Sequence, residues 1–445
     1  MHAADTPADR LVPEPPADKA GGLVTALGIG QVCAWGSLYY SFPLIAEAMG
    51  VEFGWSKTEL YGPATIGLVL AAIAAYPVGV AIDRGHGRWV MGLSSLSAGI
   101  LFILWSQVDT LLAFYLLTAG LGALQAATLY EPAFAVIARR VGPLRSRRAI
   151  TTLTLWGGFA STVFIPLVQW LMDRWGWRDA LVVLGLVNIV LCTSMYFRFI
   201  RPALDIIPYK GEAPRSEAAG TGPTEGRSTG GNPINRGSQR DIDRHAVRES
   251  LRRPIFWALF LSLTVYAAMF SAFTFHMYPM LLERGIGTID VVQAIALIGP
   301  AQVTGRILII VFAPKASMRV IGSVVVATFP VTFVALGLIN PTFWPVAAIC
   351  VTYGAANGIF TIVRSLVVPE MLSRHAYGAI NGMLTVPATL ARAAAPLGAA
   401  LLWSVTASYN GVLVGIIVSA LILAGSFWVA AWLSRPGRTL HRGSS

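Results

Sequence analysis

Four charged side chains sit where charge is hard to keep. Arg306, Arg364, Arg392 and Glu131 each lie well inside a long apolar stretch. Arg306 is the only charged residue between Asp290 and Lys315. In a bilayer such an arginine costs on the order of 3 kcal/mol on insertion scales, so it persists only beside water or a counter-charge. The alternative is snorkelling to the nearer face. Lys315 is nine residues away, roughly 13 Å at helical rise, which is a long reach. Three positive charges against one negative leave the interior with a net charge of 3 − 1 = +2. An arriving anion would compensate it, and guanidinium forks match carboxylate or phosphate oxygens. A pump for cations is expected to show the reverse balance.

Each charge ends or joins a polar stripe. Gln125, Thr128 and Glu131 recur at steps of three, as do Asn357, Thr361 and Arg364 at steps of four and three; Asn381, Thr385, Thr389 and Arg392 follow the same rule. These steps place each set on one helix face. Gln302 stands one turn before Arg306. Small polar residues alone also serve as glue between helices; a stripe that ends in a charge points to water. His276 reads as a histidine hydrogen-bonded among Tyr266, Phe270, Phe273 and Tyr278, ahead of a proton carrier. Trp35, Tyr39 and Tyr40 are open between cavity lining and packing, and so is Tyr130. No nucleotide loop, zinc spacing or partnered nucleophile is visible, so neither a cofactor nor a metal is expected and an enzyme is the least favoured class.

The elements that must hold these residues follow from composition. The 445 residues are 55% hydrophobic and 12% charged, with mean hydropathy +0.64. A soluble domain carries about 25% charged residues, so the expectation is an all-α integral membrane protein. Cys33, Cys192 and Cys350 all lie in apolar runs and imply no disulfide framework. Runs able to cross about 30 Å of hydrocarbon fall at 22–49, 57–82, 89–106, 110–138, 148–172 and 177–200. A second six fall at 254–282, 288–313, 319–339, 342–369, 376–404 and 409–433. The expected organisation is a polar N-terminus (1–21), a six-helix bundle (22–200), a central loop (201–253), a second bundle (254–433) and a tail (434–445). The loop is rich in Gly, Pro, Ser and Arg and is expected to lack a packed core, with a short surface helix within 241–253.

Orientation follows from the basic residues. One set of loops and the tail hold Arg84, Arg88, Arg139, Arg140, Arg145, Arg147, Arg148, Lys315, Arg319, Arg374, Arg435, Arg438 and Arg442, thirteen in all. The opposite loops hold four: Lys57, Arg174, Arg178 and Arg284. Both termini are therefore expected in the cytoplasm, with the chain in a bacterial inner (plasma) membrane. This asymmetry also accounts for the net charge of +11, and nucleic acid is not an expected partner.

The halves echo each other. Gly62-Pro63-Ala64 in span two matches Gly299-Pro300-Ala301 in span eight, and Pro166-Leu167 in span five matches Pro396-Leu397 in span eleven. Aligning Arg140 with Arg374 sets Arg364 opposite Tyr130, beside the counterpart of Glu131. Two repeated six-helix bundles are the arrangement of major facilitator transporters. Gly79-Val80-Ala81-Ile82-Asp83-Arg84, continuing Gly85-His86-Gly87-Arg88, resembles that superfamily's loop between helices two and three, with the second Gly-Arg one residue late. The resemblance implies a gating role for Asp83 and Arg84. A narrower one is to monocarboxylate porters and oxalate/formate antiporters, through Arg306 in helix eight, Arg392 in helix eleven, and Tyr377-Gly378-Ala379-Ile380-Asn381-Gly382. Gln302 stands where the porters carry aspartate, and Gly28-Ile29-Gly30-Gln31 lacks their acidic entry to helix one.

The expectation is a transporter that moves a small organic anion, a mono- or dicarboxylate, by alternating access, as a monomer in the lipid bilayer. Proton symport and anion exchange both fit. Arg306, Arg392, Gln302, Thr389 and Tyr39 are the candidate substrate contacts, and Glu131, Arg364, Asp83 and Arg84 the candidates for gating or proton coupling. Efflux of a neutral or amphipathic compound, with the arginines in structural pairs, is the alternative. A non-transporting sensor is more remote.

Overall fold

The computed structural model describes residues 18–205, 248–313, 316–372 and 377–435. Most of the expected central loop, both chain ends, Lys315 and Arg374 lie outside these residues, as does the side chain of Asn381. Within them the chain is helical, with no strand among the described residues. The first half holds α1 (Asp18–Trp35), α2 (Phe42–Phe53), α3 (Lys57–Ala81), α4 (Gly87–Trp105), α5 (Leu111–Thr128), α6 (Tyr130–Gly158), α7 (Ala160–Leu186) and α8 (Thr193–Phe199). The second holds α9 (Pro254–Glu283), α10 (Thr288–Ala296), α11 (Ile298–Phe312), α12 (Met318–Leu338), α13 (Phe343–Val367), α14 (Tyr377–Thr406) and α15 (Tyr409–Leu433).

Among the described residues, ten stretches are long and apolar enough to cross a membrane. Two of them, Lys57–Trp105 and Ala149–Phe199, run 49 and 51 residues, roughly 75 Å if straight, more than twice the hydrocarbon thickness. Each contains a glycine at positive φ, Gly85 (86°) and Gly176 (85°), a conformation L side chains avoid. The chain turns there, so neither stretch is one straight helix. The ends of α6 also meet: a Cβ on Gly157 would stand 2.1 Å from the Tyr130 hydroxyl. Residues 248–252 are helical, within the short helix expected before span seven.

Some crossings are broken inside the membrane, and the breaks serve the site. Between α5 and α6, Leu129 leaves helical geometry (φ −81°, ψ −154°). Buried Gln31 donates to the freed carbonyls of Thr128 (2.9 Å) and Leu129 (3.1 Å), which would otherwise be costly in hydrocarbon. The break presents Tyr130 and Glu131 to the interior. On the other side, α11 and α13 pack backbone to backbone. A Cβ on Gly358 would meet the Gln302 carbonyl at 2.3 Å, so glycine is required where the polar stripes of these helices face each other.

The halves touch closely at the end remote from the basic loops. Tyr61 (α3) donates to Phe275 O (α9) at 3.1 Å and lies 4.1 Å from the His276 ring. Thr162 (α7) donates to Ala296 O (α10) at 2.8 Å, and Tyr278 (α9) to Gln169 Oε1 (α7) at 2.9 Å. Lys57, paired with Glu47 at 2.5 Å, stands over the rings of Trp403 and Tyr409.

Candidate functional site

Between the halves lies a cavity of about 310 Å³. Its titratable lining includes Arg306, Arg364, Arg392 and Glu131, with Gln125, Gln302, Asn357, Thr361, Thr385 and Thr389 among its polar groups. Members of all three stripes thus face one space, while Thr128 is buried away from it and donates to Leu124 O at 2.9 Å. Glu131 and Arg364 are exposed while the opposite end is closed by the contacts above. The cavity therefore opens toward the basic end.

Arg306 sits deep in it, 7% exposed. Its Nε donates to Gly358 O (3.3 Å), its Nη1 to Thr154 O (2.8 Å) and its Nη2 to Gln302 Oε1 (3.5 Å). Thr154 belongs to α6 in the first half, so the guanidinium bridges both halves. This carbonyl has no side-chain signature, and the sequence pattern does not reveal it. Three of the five guanidinium N–H groups are used and two remain for a ligand. Beside it, Tyr266 donates to Asn357 Oδ1 at 2.6 Å.

Arg392 is half-buried, with its guanidinium carbon 5.2 Å from the Tyr39 ring centre and 5.6 Å from that of Trp35. This cation–π support holds a helix-eleven charge against helix one. Three buried donors in this cluster lack an acceptor: Arg392 Nε, Trp35 Nε1 and Tyr39 Oη. Trp35 lines the cavity; Tyr39 is fully buried and stands behind it, carrying Arg392 on its face. Thr389 lines the cavity and donates to Thr385 O at 2.9 Å.

Glu131 and Arg364 form no ion pair in this conformation, and both face the open end of the cavity. Asp83 and Arg84 lie apart from it, exposed at the basic end. Arg139 donates to the Asp83 carbonyl and, with Arg140, contacts Asp205 at 3.3 and 3.5 Å. Burial pushes the Asp205 carboxyl up, opposed by these guanidiniums. Asp205 thus ties the segment after span six to α6, and through Arg139 to the loop after α3.

His276 is buried and hydrogen-bonded, as its sequence context suggests, but to different partners. Nε2 meets Pro396 O (2.8 Å) and Nδ1 meets the Tyr409 hydroxyl (3.1 Å). It belongs to the closed end and not to the cavity. Glu370 accepts from the Met318 N–H at 3.0 Å. No cluster of three or more metal-ligating side chains occurs among the described residues.

A family model described as Major Facilitator Superfamily matches residues 27–396. Among curated proteins, human monocarboxylate transporter 11 is 30% identical over 49% of the chain and 46% of its own length. Rat monocarboxylate transporter 13 is 26% identical over 38% of the chain and 37% of its own length. The chain thus aligns with less than half of each relative. Among solved structures, a bacterial homologue of the human lysosomal transporter Spinster, inward-facing and unoccupied, superposes with TM-score 0.67 at 14% identity, covering 94% of this chain and 98% of that one. The nucleoside transporter NupG gives 0.68 at 14% identity, covering 93% and 99%. At that identity the likeness concerns the fold alone.

Proposed function

Because the chain belongs to the Major Facilitator Superfamily, a family of multi-pass transporters, we propose that its substrate is a small organic anion, a mono- or dicarboxylate, carried by alternating access. One observation carries this reading: the cavity between the halves holds three guanidiniums against a single carboxylate. The two free N–H groups of Arg306 and the acceptor-less donors of Arg392 and Trp35 are suited to carboxylate oxygens. The similarity to monocarboxylate transporters supports the same class.

In this reading residues 22–200 and 254–433 form the two moving bundles, the basic end faces the cytoplasm of a bacterial inner membrane, and the monomer is the working unit. The conformation described here is then inward-open. Substrate bridging Arg306 and Arg392 would draw the bundles together, with Gln302 and Thr389 beside it and Tyr39 acting through Arg392. Glu131 and Arg364 would pair when the cytoplasmic side closes, or Glu131 would carry a coupled proton; Asp83 and Arg84 belong to that gate. Symport with protons and exchange of anions both suit this site.

A second reading has one observation in its favour. Arg306 already has three protein acceptors, as a structural arginine in an exporter of neutral compounds would. A thermal-shift screen of the purified full chain against organic acids, with neutral and cationic controls, separates the two. A ligand at a hundred times its Kd stabilises the folded state by about 2.7 kcal/mol. Shifts from acids alone support the anion site; shifts from neutral compounds alone favour the exporter.

A further inference from the structure

The cavity has an annex that the charge argument leaves unused. Past Gln302, under the closed end, lies a second hollow of about 30 Å³ that shares Tyr40, Phe270 and Gln302 with the main cavity. Its walls come from both halves: Leu44 and Ile165 from the first, Met277, Ile295 and Ile298 from the second, each at most 5% exposed. Its lining is mainly apolar, with hydroxyls of Ser161, Thr274 and Tyr353 but no charged group, and it begins beside the residue that touches Arg306. Its roof is the closure itself. Ile295 adjoins Ala296, which accepts from Thr162, and Tyr278 of the lining donates to Gln169.

A water-sized sphere needs roughly 10–15 Å³ of such space, so the annex holds two or three, the size of about one to three carbons. A second carboxylate there would lose its water shell and find a few hydroxyls but no counter-charge, which is unfavourable. An apolar group there would touch both halves at once, just beneath the bonds that join them.

We propose that the annex receives the apolar end of the transported anion, and that with anion bound the halves stay closed over it only when that end fits. The inference rests on the anion reading and adds a length rule to it. Each carbon that enters strengthens binding, by about fourfold per methylene. A chain longer than the annex stands between Thr162 and Ala296 and between Tyr278 and Gln169 and holds them apart. Such an acid binds without being carried.

The test uses the full chain in proteoliposomes, with empty vesicles as the control for leak, and straight-chain acids from acetate to octanoate beside succinate and glutarate. Thermal shift reads binding. Exchange of labelled propionate separates acids that are carried, which accelerate it from the far side, from acids that only bind, which inhibit it. The expected result is affinity rising with length to a maximum, inhibition without exchange beyond it, and weaker binding of the diacids than of monoacids of equal length. Ile298→Ala and Ile165→Ala should move the maximum one or two carbons longer, and Ser161→Leu should move it shorter. Arg306→Ala should weaken every acid without moving the maximum. If octanoate exchanges as well as butyrate, or if carboxylates bind and the maximum stays put in all three annex variants, the length rule is wrong and the anion site stands. If the wild type binds no carboxylate of any length, the anion reading falls and the annex with it.

Discussion

Replacing Arg306 with alanine is the sharpest perturbation of the anion site. The guanidinium has five N–H donors, of which Gly358 O, Thr154 O and Gln302 Oε1 engage three. Two remain, enough for both oxygens of a carboxylate. A hydrogen bond to a charged group contributes about 1.5–3 kcal/mol, so the pair is worth about 3–6 kcal/mol. At 1.4 kcal/mol per tenfold, affinity should fall by about 10² to 10⁴. The cost to folding is smaller than the three lost bonds suggest. The site borders a water-accessible cavity, so water can reach the carbonyls of Thr154 and Gly358, and the desolvation of a buried cation disappears as well. Expression and melting temperature without ligand should stay near wild type. Arg306→Lys keeps the charge but cannot reach three separated acceptors and also grip a carboxylate, so it should recover activity only in part. The assays are ligand-induced thermal shift and uptake into proteoliposomes, measured on the same preparations. An Arg306→Ala protein that transports at the wild-type rate would refute the reasoning, because no other cavity group could then be credited with holding the anion at that depth.

Charge reversal tests the open end: Glu131→Arg and Arg364→Glu should each impair transport and favour the inward-open state by cysteine accessibility, and the double swap should restore part of the activity. No recovery, with loss of pH dependence in Glu131→Gln, would assign Glu131 to the coupled proton instead. At the closed end, Lys57→Met removes a cation, 16% exposed, from above Trp403 and Tyr409; at about 0.5–2 kcal/mol for a partly desolvated cation–π contact, outward accessibility should rise at least about twofold. Gly358→Ala places a methyl 2.3 Å from the Gln302 backbone, so it should lower the melting temperature and, by spreading α11 from α13, weaken acid binding too; an unchanged melting curve would mean that these helices pack less tightly than described.

The sequence by itself was enough for what depends on one dimension. Span positions follow from runs of apolar side chains, because hydrocarbon demands a minimum length of helix. The stripes of Asn357 and Thr389 follow from steps of three and four, which fix a face along an unbroken helix; the break at Leu129 sets Glu131 on a different helix from Gln125 and Thr128. The charge imbalance at Arg306, Arg364, Arg392 and Glu131 needs no coordinates, since each charge inside the bilayer must be compensated by something. Tertiary structure alone decided which groups share a space. Arg306 takes its best acceptor from the Thr154 carbonyl 152 residues away, and a backbone oxygen leaves no mark in the sequence. Tyr39 and Trp35 are neighbours on one helix turn and read alike, yet only Trp35 borders the cavity while Tyr39 supports Arg392 from behind. His276 was readable as a satisfied histidine, but its partners Tyr409 and Pro396 come from distant helices. The annex was invisible for the same reason: Leu44, Ile165, Ile295 and Ile298 look like any aliphatic core residues. What makes them a pocket is the gap left where two halves meet, and a gap belongs to the packing and to no residue in it.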